Sequence, residues 1–163
     1  MKPEEPFNIF LTTDIQFKQA GARMMASTDP WIRLEMKYEP CLVAFEGASK
    51  EIYMAEYTNT IAGFAIIQTG GSFKGYIQTI LIREEFRGKG LGRRLIDFCE
   101  KRILKFSPNI FICVSSFNQG ALKLYKQLGF KQVGELDNFL KAGYSELLLR
   151  KSVGPILGYK IDK

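Results

Sequence analysis

The sequence predicts a mixed α/β (α+β) fold with one sheet, on three observations. Short apolar, β-branched segments bounded by Gly, Asn and Ser recur from residue 51 onward. Stretches of helical period interrupt them, and no linker, repeat or low-complexity tract divides the chain. With 163 residues, 46% of them apolar and 25% charged, the chain is long enough for one sizeable core and short for two. A single domain over residues 1–163 is expected.

Phe7 to Leu11 alternates weakly and predicts a first strand. Thr12 or Thr13 is placed to cap a helix running to about Ser27, with Ile15, Ala22 and Met25 or Ala26 towards one side. Asp29 and Pro30 read as the cap and first turn of a second short helix carrying Trp31 and Leu34. Strands at Glu51 to Tyr57 and Thr60 to Thr69 flank Thr58 and Asn59, a tight hairpin, and Gly70 and Gly71 end the second. Tyr76 to Ile82 is a third, strongly apolar strand. Leu91 to Lys105 places Leu91, Leu95, Cys99 and Ile103 every four residues, an amphipathic helix that Ser107 and Pro108 break. Asn109 to Ser115 follows as a strand, and Asn118 to Leu128 as a helix that Gly129 ends. Lys131 to Leu136 and Tyr144 to Lys151 are the last strands.

Composition removes several chemistries. The chain has no histidine, which excludes catalytic triads built on imidazole and metal sites that rely on it, so no metal is expected. Cys41, Cys99 and Cys113 form no CxxC pair and read as buried free thiols. No apolar run reaches the roughly 18 residues of a membrane helix, and the opening MKPEEPF is too acidic and proline-rich for a signal peptide. A cytoplasmic protein without a membrane partner is expected. The formal charge of +6 favours anionic ligands, while the scatter of Lys and Arg speaks against a nucleic-acid arm.

The densest signal is YIQTILIREEFRGKGLGRRLIDF, a buried strand running through Arg87, Gly88, Lys89, Gly90, Leu91 and Gly92 into a helix. Three glycines in five residues let the backbone take positive φ and approach a ligand closely. The helix start adds unpaired amides and about half a positive charge, which suits a phosphate or pyrophosphate. Lys89, Arg93 and Arg94 reinforce the sign. A Rossmann GxGxxG from Gly88 would need glycine where Arg93 stands, and the GKS or GKT of a Walker loop is missing.

The RxxGxG of Arg87 to Gly92, preceded by a strand and by Glu84 and Glu85, resembles the acetyl-CoA loop of the GNAT superfamily of N-acetyltransferases. Downstream, SSFNQGALKLYKQLGF, with Asn118, Ala121, Leu122, Tyr125, Leu128, Gly129 and Phe130, is similar to the second motif of that family. The resemblance implies an acyl-CoA N-acyltransferase fold, a central, mostly antiparallel sheet of about six or seven strands flanked by about four helices. It implies acetyl-CoA as co-substrate and an amine as acceptor, by direct attack in a ternary complex. By the same resemblance the loop amides hold the pyrophosphate, and the backbone of Ile80, Leu81 and Ile82 pairs with the pantetheine arm. Asn118 contacts the pantetheine or caps its helix, and Tyr125 protonates the departing thiolate or fills the core. Ribosomal-protein N-terminal acetyltransferases, which the second motif resembles, usually carry a glutamate where this chain has Cys113. The general base is therefore open, with Glu56, Gln78 and Thr79 as weak candidates. A non-catalytic acyl-CoA sensor and a basic nucleic-acid-binding module are the competing readings. The acceptor's identity and the oligomeric state, a homodimer included, are left open.

Overall fold

The computed structural model describes residues 5–161, so residues 1–4, on which the reading against a signal peptide partly rests, lie outside the described residues. The elements run β1 (Phe7–Thr12), α1 (Ile15–Ala26), α2 (Tyr38–Val43), β2 (Lys50–Tyr57), β3 (Thr60–Gln68) and β4 (Tyr76–Ile82). A 3-10 turn (Glu84–Phe86) leads to α3 (Leu91–Ile103), then β5 (Asn109–Ser115), α4 (Gln119–Gln127), β6 (Lys131–Asp137) and β7 (Ser145–Ser152). The seven strands hydrogen-bond in the order β1-β2-β3-β4-β5-β7-β6. β4 and β5 are parallel, as the α3 crossover allows, and pair Tyr76 with Phe111 and Ile77 with Ile112. The β1–β2, β5–β7 and β6–β7 pairs are antiparallel. The mixed sheet with four helices is the architecture the sequence predicts. Contacts gather into two compact units, Met1–Ile67 with Thr79–Cys99, and Gln68–Gln78 with Glu100–Lys163.

In the first unit, Thr58 (φ 49°) and Asn59 (φ 64°) form the two-residue hairpin turn, whose positive φ values match the twist of the flanking strands. Strands β2 and β3 bring Ile52, Met54, Phe64 and Ile66 against Ala22 and Met25 of α1 and Cys41 of α2, with Phe45 and Leu81 in the same buried cluster. Burying one such large side chain contributes about 1.5 to 3 kcal/mol. The Phe45 ring packs on Phe64 with centroids 5.0 Å apart. Gly21 makes room for it, since a Cβ there would lie 2.4 Å from Cζ of Phe45. A second cluster of Tyr57, Ala62 and Leu91 receives Phe7, Ile82 and Phe86.

Several local expectations are corrected. The cap of α1 is Asp14, not Thr12 or Thr13: its Oδ1 accepts from the Gln16 N–H at 2.8 Å. A carboxylate at a helix start gains from the helix dipole as well as from the hydrogen bond. Thr12 instead completes β1 opposite Ile52, while its Oγ1 accepts from the Asp14 N–H at 3.1 Å. Ile15, at the first helical position, is exposed. Residues 29–35 form consecutive turns rather than a helix, although Leu34 is buried and Asp29 Oδ1 accepts from the Arg33 N–H at 3.3 Å. Glu35, at φ 57°, leaves the right-handed region there. Helix α2 is an unpredicted element, six residues long with Pro40 inside and no side-chain cap.

In the second unit, β7 lies between β5 and β6, with an irregularity of register in β6 between Gln132 and Gly134. Ile103, Ile110, Ile112, Val114, Leu122, Phe130, Leu147 and Leu149 are buried. Lys151 Nζ reaches Glu100 Oε1 at 2.7 Å, and the Tyr159 hydroxyl donates to the Leu104 carbonyl at 2.6 Å, fixing the tail.

Among the glycines of the first unit, Gly63 has the closest backbone neighbour: a Cβ there would stand 2.0 Å from the Leu81 carbonyl oxygen. Gly63→Ala should therefore cost at least about 1 to 3 kcal/mol, the range of overpacking, as β3 is forced off β4. Urea denaturation measures it; an unchanged midpoint would contradict this packing.

Candidate active site

The loop after β4 is braced from behind. The Arg83 N–H donates to the Ala62 carbonyl at 2.8 Å, and its guanidinium pairs with Glu85. Arg87 turns its side chain back, Nε donating to the Ile82 carbonyl at 3.0 Å, so it props the end of β4. Gly88 and Gly90 follow at φ 76° and 77°, and a Cβ at either would meet nothing within 4 Å. Backbone conformation rather than crowding therefore calls for glycine at both. Gly92 differs: it lies in the first turn of α3 with no positive φ, and a Cβ there would make an ordinary 4.0 Å contact with Ile82. Two of the three glycines, not all three, supply the left-handed conformation.

The Gly90 carbonyl accepts from the Arg94 N–H at 3.1 Å, closing the first turn of α3. The amides of Leu91, Gly92 and Arg93 consequently have no acceptor within the helix. Residues 87–90 are exposed to solvent. Lys89 Nζ lies 6.0 Å from the Tyr57 ring centroid, and the Arg94 guanidinium 4.6 Å from that of Phe7. Arg93 is exposed. Of the strand positions before the loop, Leu81 is buried and Ile80 and Ile82 are half-buried. All three lie beyond the two residues of β4 that pair with β5.

The second motif lies in the second unit. The Asn118 N–H donates to the Ser115 carbonyl at 2.8 Å, and Asn118 Oδ1 accepts from the Ala121 N–H at 3.3 Å, so its side chain caps α4. Leu122 and Tyr125 form the buried face of α4, each 8% exposed, and the Tyr125 ring stands edge-on to Phe130 with centroids 6.0 Å apart. Gly129, at φ 95°, ends the helix. The weak base candidates are scattered: Glu56 is half-buried on β2, Thr79 is buried, and Gln78 Oε1 accepts from Gln68 Nε2 at 2.7 Å.

A group of protic side chains in the same unit escapes sequence reasoning. Glu146, at the start of β7, is only 4% exposed, and its Oε1 accepts from the Ser115 hydroxyl at 2.6 Å. Burial pushes its carboxyl above the usual carboxylate range, and the Ser115 hydrogen bond pulls it partly back. Cys113 is half-buried rather than buried, and lies beside the Tyr76 phenol. Burial drives the Cys113 thiol and the Tyr76 phenol upward, and the negative charge of Glu146 pushes both the same way. The available signal was a glutamate entering the apolar run Glu146 to Leu149. Among the described residues, no group of three or more Cys, Asp and Glu side chains gathers as metal ligands do, and no helix is long and apolar enough to cross a membrane.

A sheet strand that feeds a positive-φ glycine loop and a helix start without internal acceptors, with a second helix capped after the next strand, defines an α/β protein of mixed-sheet architecture. The acetyltransferase (GNAT) family matches residues 17–130, and the chain belongs to that family. It is 29% identical over 120 residues to the N-alpha-acetyltransferase RimI of Mycobacterium tuberculosis, covering 69% of each chain. The ribosomal-protein-S18-alanine N-acetyltransferase from Escherichia coli shares the fold with a TM-score of 0.72 at 17% identity, over 92% of this chain and 96% of that one. A GNAT family acetyltransferase from Elizabethkingia anophelis, solved with acetyl-CoA bound, does so with a TM-score of 0.65 at 22% identity, over 90% and 98%. The chain spans between 27% and 69% of the length of the curated relatives it matches.

A carboxyl whose folded pKa is raised binds its proton more tightly in the native state. Its contribution is most favourable below the unfolded value, about 4.3 for glutamate, and weakens as pH rises from there through the folded value. Glu146→Gln keeps an oxygen for the Ser115 hydroxyl and removes the titration. Wild type should therefore lose stability relative to this variant as pH rises above about 4.3, through the raised folded value. Parallel denaturation curves across that range would refute the buried, uncompensated carboxyl.

Proposed function

We propose that this chain is an acetyl-CoA-dependent N-acetyltransferase, acting as one domain, that transfers an acetyl group to a primary amine of a small molecule or peptide. The observation that carries the reading is the loop, where two glycines at positive φ lead into a helix whose first amides lack internal acceptors. Hydrogen bonds to a charged group contribute roughly 1.5 to 3 kcal/mol each, and micromolar affinity needs about 8 kcal/mol, so about three to six such amides suffice for a pyrophosphate. The acetyl-CoA held by the Elizabethkingia relative supports this choice of ligand. Three free thiols and no predicted membrane partner suit a cytoplasmic setting.

In this reading the backbone of Ile80, Leu81 and Ile82 aligns the pantetheine arm, and one main-chain amide there polarises the thioester carbonyl. The amine nitrogen attacks the carbonyl carbon, the C–N bond forms as the C–S bond breaks, and the sulfur leaves as thiolate. Tyr125 protonates it: a phenol with an ordinary pKa of about 10 is matched to a thiol of about 8.5. Asn118 holds the start of α4 and so the placement of Tyr125 along it. Cys113 stands where the resemblance to ribosomal-protein N-terminal acetyltransferases expects glutamate, so the name of the RimI relative does not fix the acceptor here. No acyl-enzyme is invoked, because burial raises the Cys113 thiol and no histidine exists to activate it.

Two substitutions test the reading. Gly90→Glu puts a side chain and a negative charge on the loop at a left-handed position. It should reduce coenzyme A affinity at least about a hundredfold in calorimetry while circular dichroism stays unchanged; retained affinity would move the site elsewhere. Tyr125→Phe should lower kcat about a hundredfold with little change in acetyl-CoA affinity, and an unchanged kcat would remove Tyr125 from the chemistry.

A further inference from the structure

An amine acceptor arrives mostly protonated at neutral pH, with an ordinary pKa of about 8 to 10.4, and an ammonium nitrogen has no lone pair for attack. The position that supplies a glutamate in the resembling enzymes is Cys113, whose thiol burial makes a poor proton acceptor. Yet Cys113 faces Leu148 across the β5–β7 ladder, and two pairs along that ladder Ser115 faces Glu146. Taking the acetyltransferase reading as its basis, we propose that the Glu146 carboxylate is the catalytic base, the group that removes the proton from the acceptor ammonium before its nitrogen attacks the thioester.

Three features of the geometry support the assignment. First, Glu146 is positioned rather than adrift. Its Oε1 is held by the Ser115 hydroxyl at 2.6 Å, and the Ser115 carbonyl accepts from the Asn118 N–H at 2.8 Å. The carboxylate thus stands where β5 turns into the helix that carries Tyr125. Second, its other oxygen is available. Ser115 is the hydrogen-bond donor found on this carboxylate, and among the described residues no side-chain oxygen is both fully buried and unpaired. Oε2 must therefore keep an edge towards solvent, where a proton can be received. Third, among the described residues no cation is paired with it. Tyr76 faces it from β4 and Cys113 and Ser115 from β5, while its register partner on β6 is Leu136. Asp137, next along β6, accepts from the Ser145 hydroxyl, and Arg150, four residues on along β7, is engaged by Asn109 Oδ1 at 2.6 and 2.9 Å. A buried carboxylate with no ion-pair partner costs stability that glutamine or leucine would not, which is the signature of a group kept for chemistry.

The protons balance. Glu146 takes one proton from the ammonium and later returns it to solvent. After attack the nitrogen sheds its second proton as the amide forms, and the thiolate takes up one through Tyr125. The net products are amide, free thiol and one released proton.

The test measures thiol release from acetyl-CoA by the full chain with a panel of a polyamine, an aminoglycoside, free amino acids and a short peptide with a free N-terminus. The most active acceptor is then followed from about pH 5.5 to about pH 10. Glu146→Gln should bind acetyl-CoA within about twofold of wild type but lose about a hundredfold in kcat/KM near pH 7. Its deficit should shrink with rising pH as the free amine becomes available without a base, and Glu146→Asp should recover part of the loss. Ser115→Ala, which removes the hydrogen bond that favours the charged carboxylate, should move the acidic limb of the pH profile upward and answers the question even if Glu146→Gln does not fold. A Glu146→Gln variant with wild-type kcat/KM and an unmoved acidic limb would overturn the base role alone. No amine-stimulated release by wild type would overturn the acetyltransferase reading, and the base role with it.

Discussion

The constraint on which the rest of the structure depends is the left-handed backbone at Gly88 and Gly90. An L-residue with a side chain pays to adopt φ near 76°, and here the cost cannot be blamed on crowding, because the space around both Cα atoms is open. The chain accepts two such residues in a row of three in order to turn sharply out of β4 and start α3 with its first amides facing outward. Around that turn the surroundings are fixed: Arg83 and Arg87 are tied to main-chain carbonyls, Leu91 is buried with Tyr57 and Ala62, and Ile82 and Phe86 pack on them. The loop is thus flexible in sequence composition but pinned at both ends, which is what preorganised anion binding requires.

The second unit carries the groups to which the proposed proton transfers are assigned. Its β5–β7 ladder sets Ser115 beside Glu146 and carries the chain directly into the Asn118 cap and the Tyr125 face of α4. In the proposed mechanism the Glu146 carboxyl, which burial holds above its usual range, and the Tyr125 phenol on α4 act as the base and the acid. The same burial disqualifies Cys113 as a nucleophile.

The parts legible in the sequence are those whose signal is local. The bounds of β4 and β5 follow from apolar β-branched runs ended by glycine, serine and proline, and the stripe Leu91, Leu95, Cys99, Ile103 gave the buried face of α3 directly. The Thr58–Asn59 turn and the Asn118 cap were readable for the same reason. Where two local signals compete, composition does not decide. Thr12 and Asp14 are both good caps, and the choice fell to the register of β1 against β2, a long-range fact. Residues 29–35 have the capping chemistry of a helix, but Glu35 in the left-handed region ends the turns early. Glu146 was illegible because a lone glutamate in SELLLRK reads as the solvent face of an edge strand. Its burial follows from β7 lying between β5 and β6, an order no residue pattern announces.

The central claim, that main-chain amides at the β4–α3 junction hold a diphosphate, is tested most directly by titrating isotopically labelled protein with coenzyme A and following each amide resonance. The account predicts the largest shifts at Gly88, Lys89, Gly90, Leu91, Gly92 and Arg93, saturating together at micromolar to low millimolar ligand. Shifts centred elsewhere, or none at saturating coenzyme A, would contradict it.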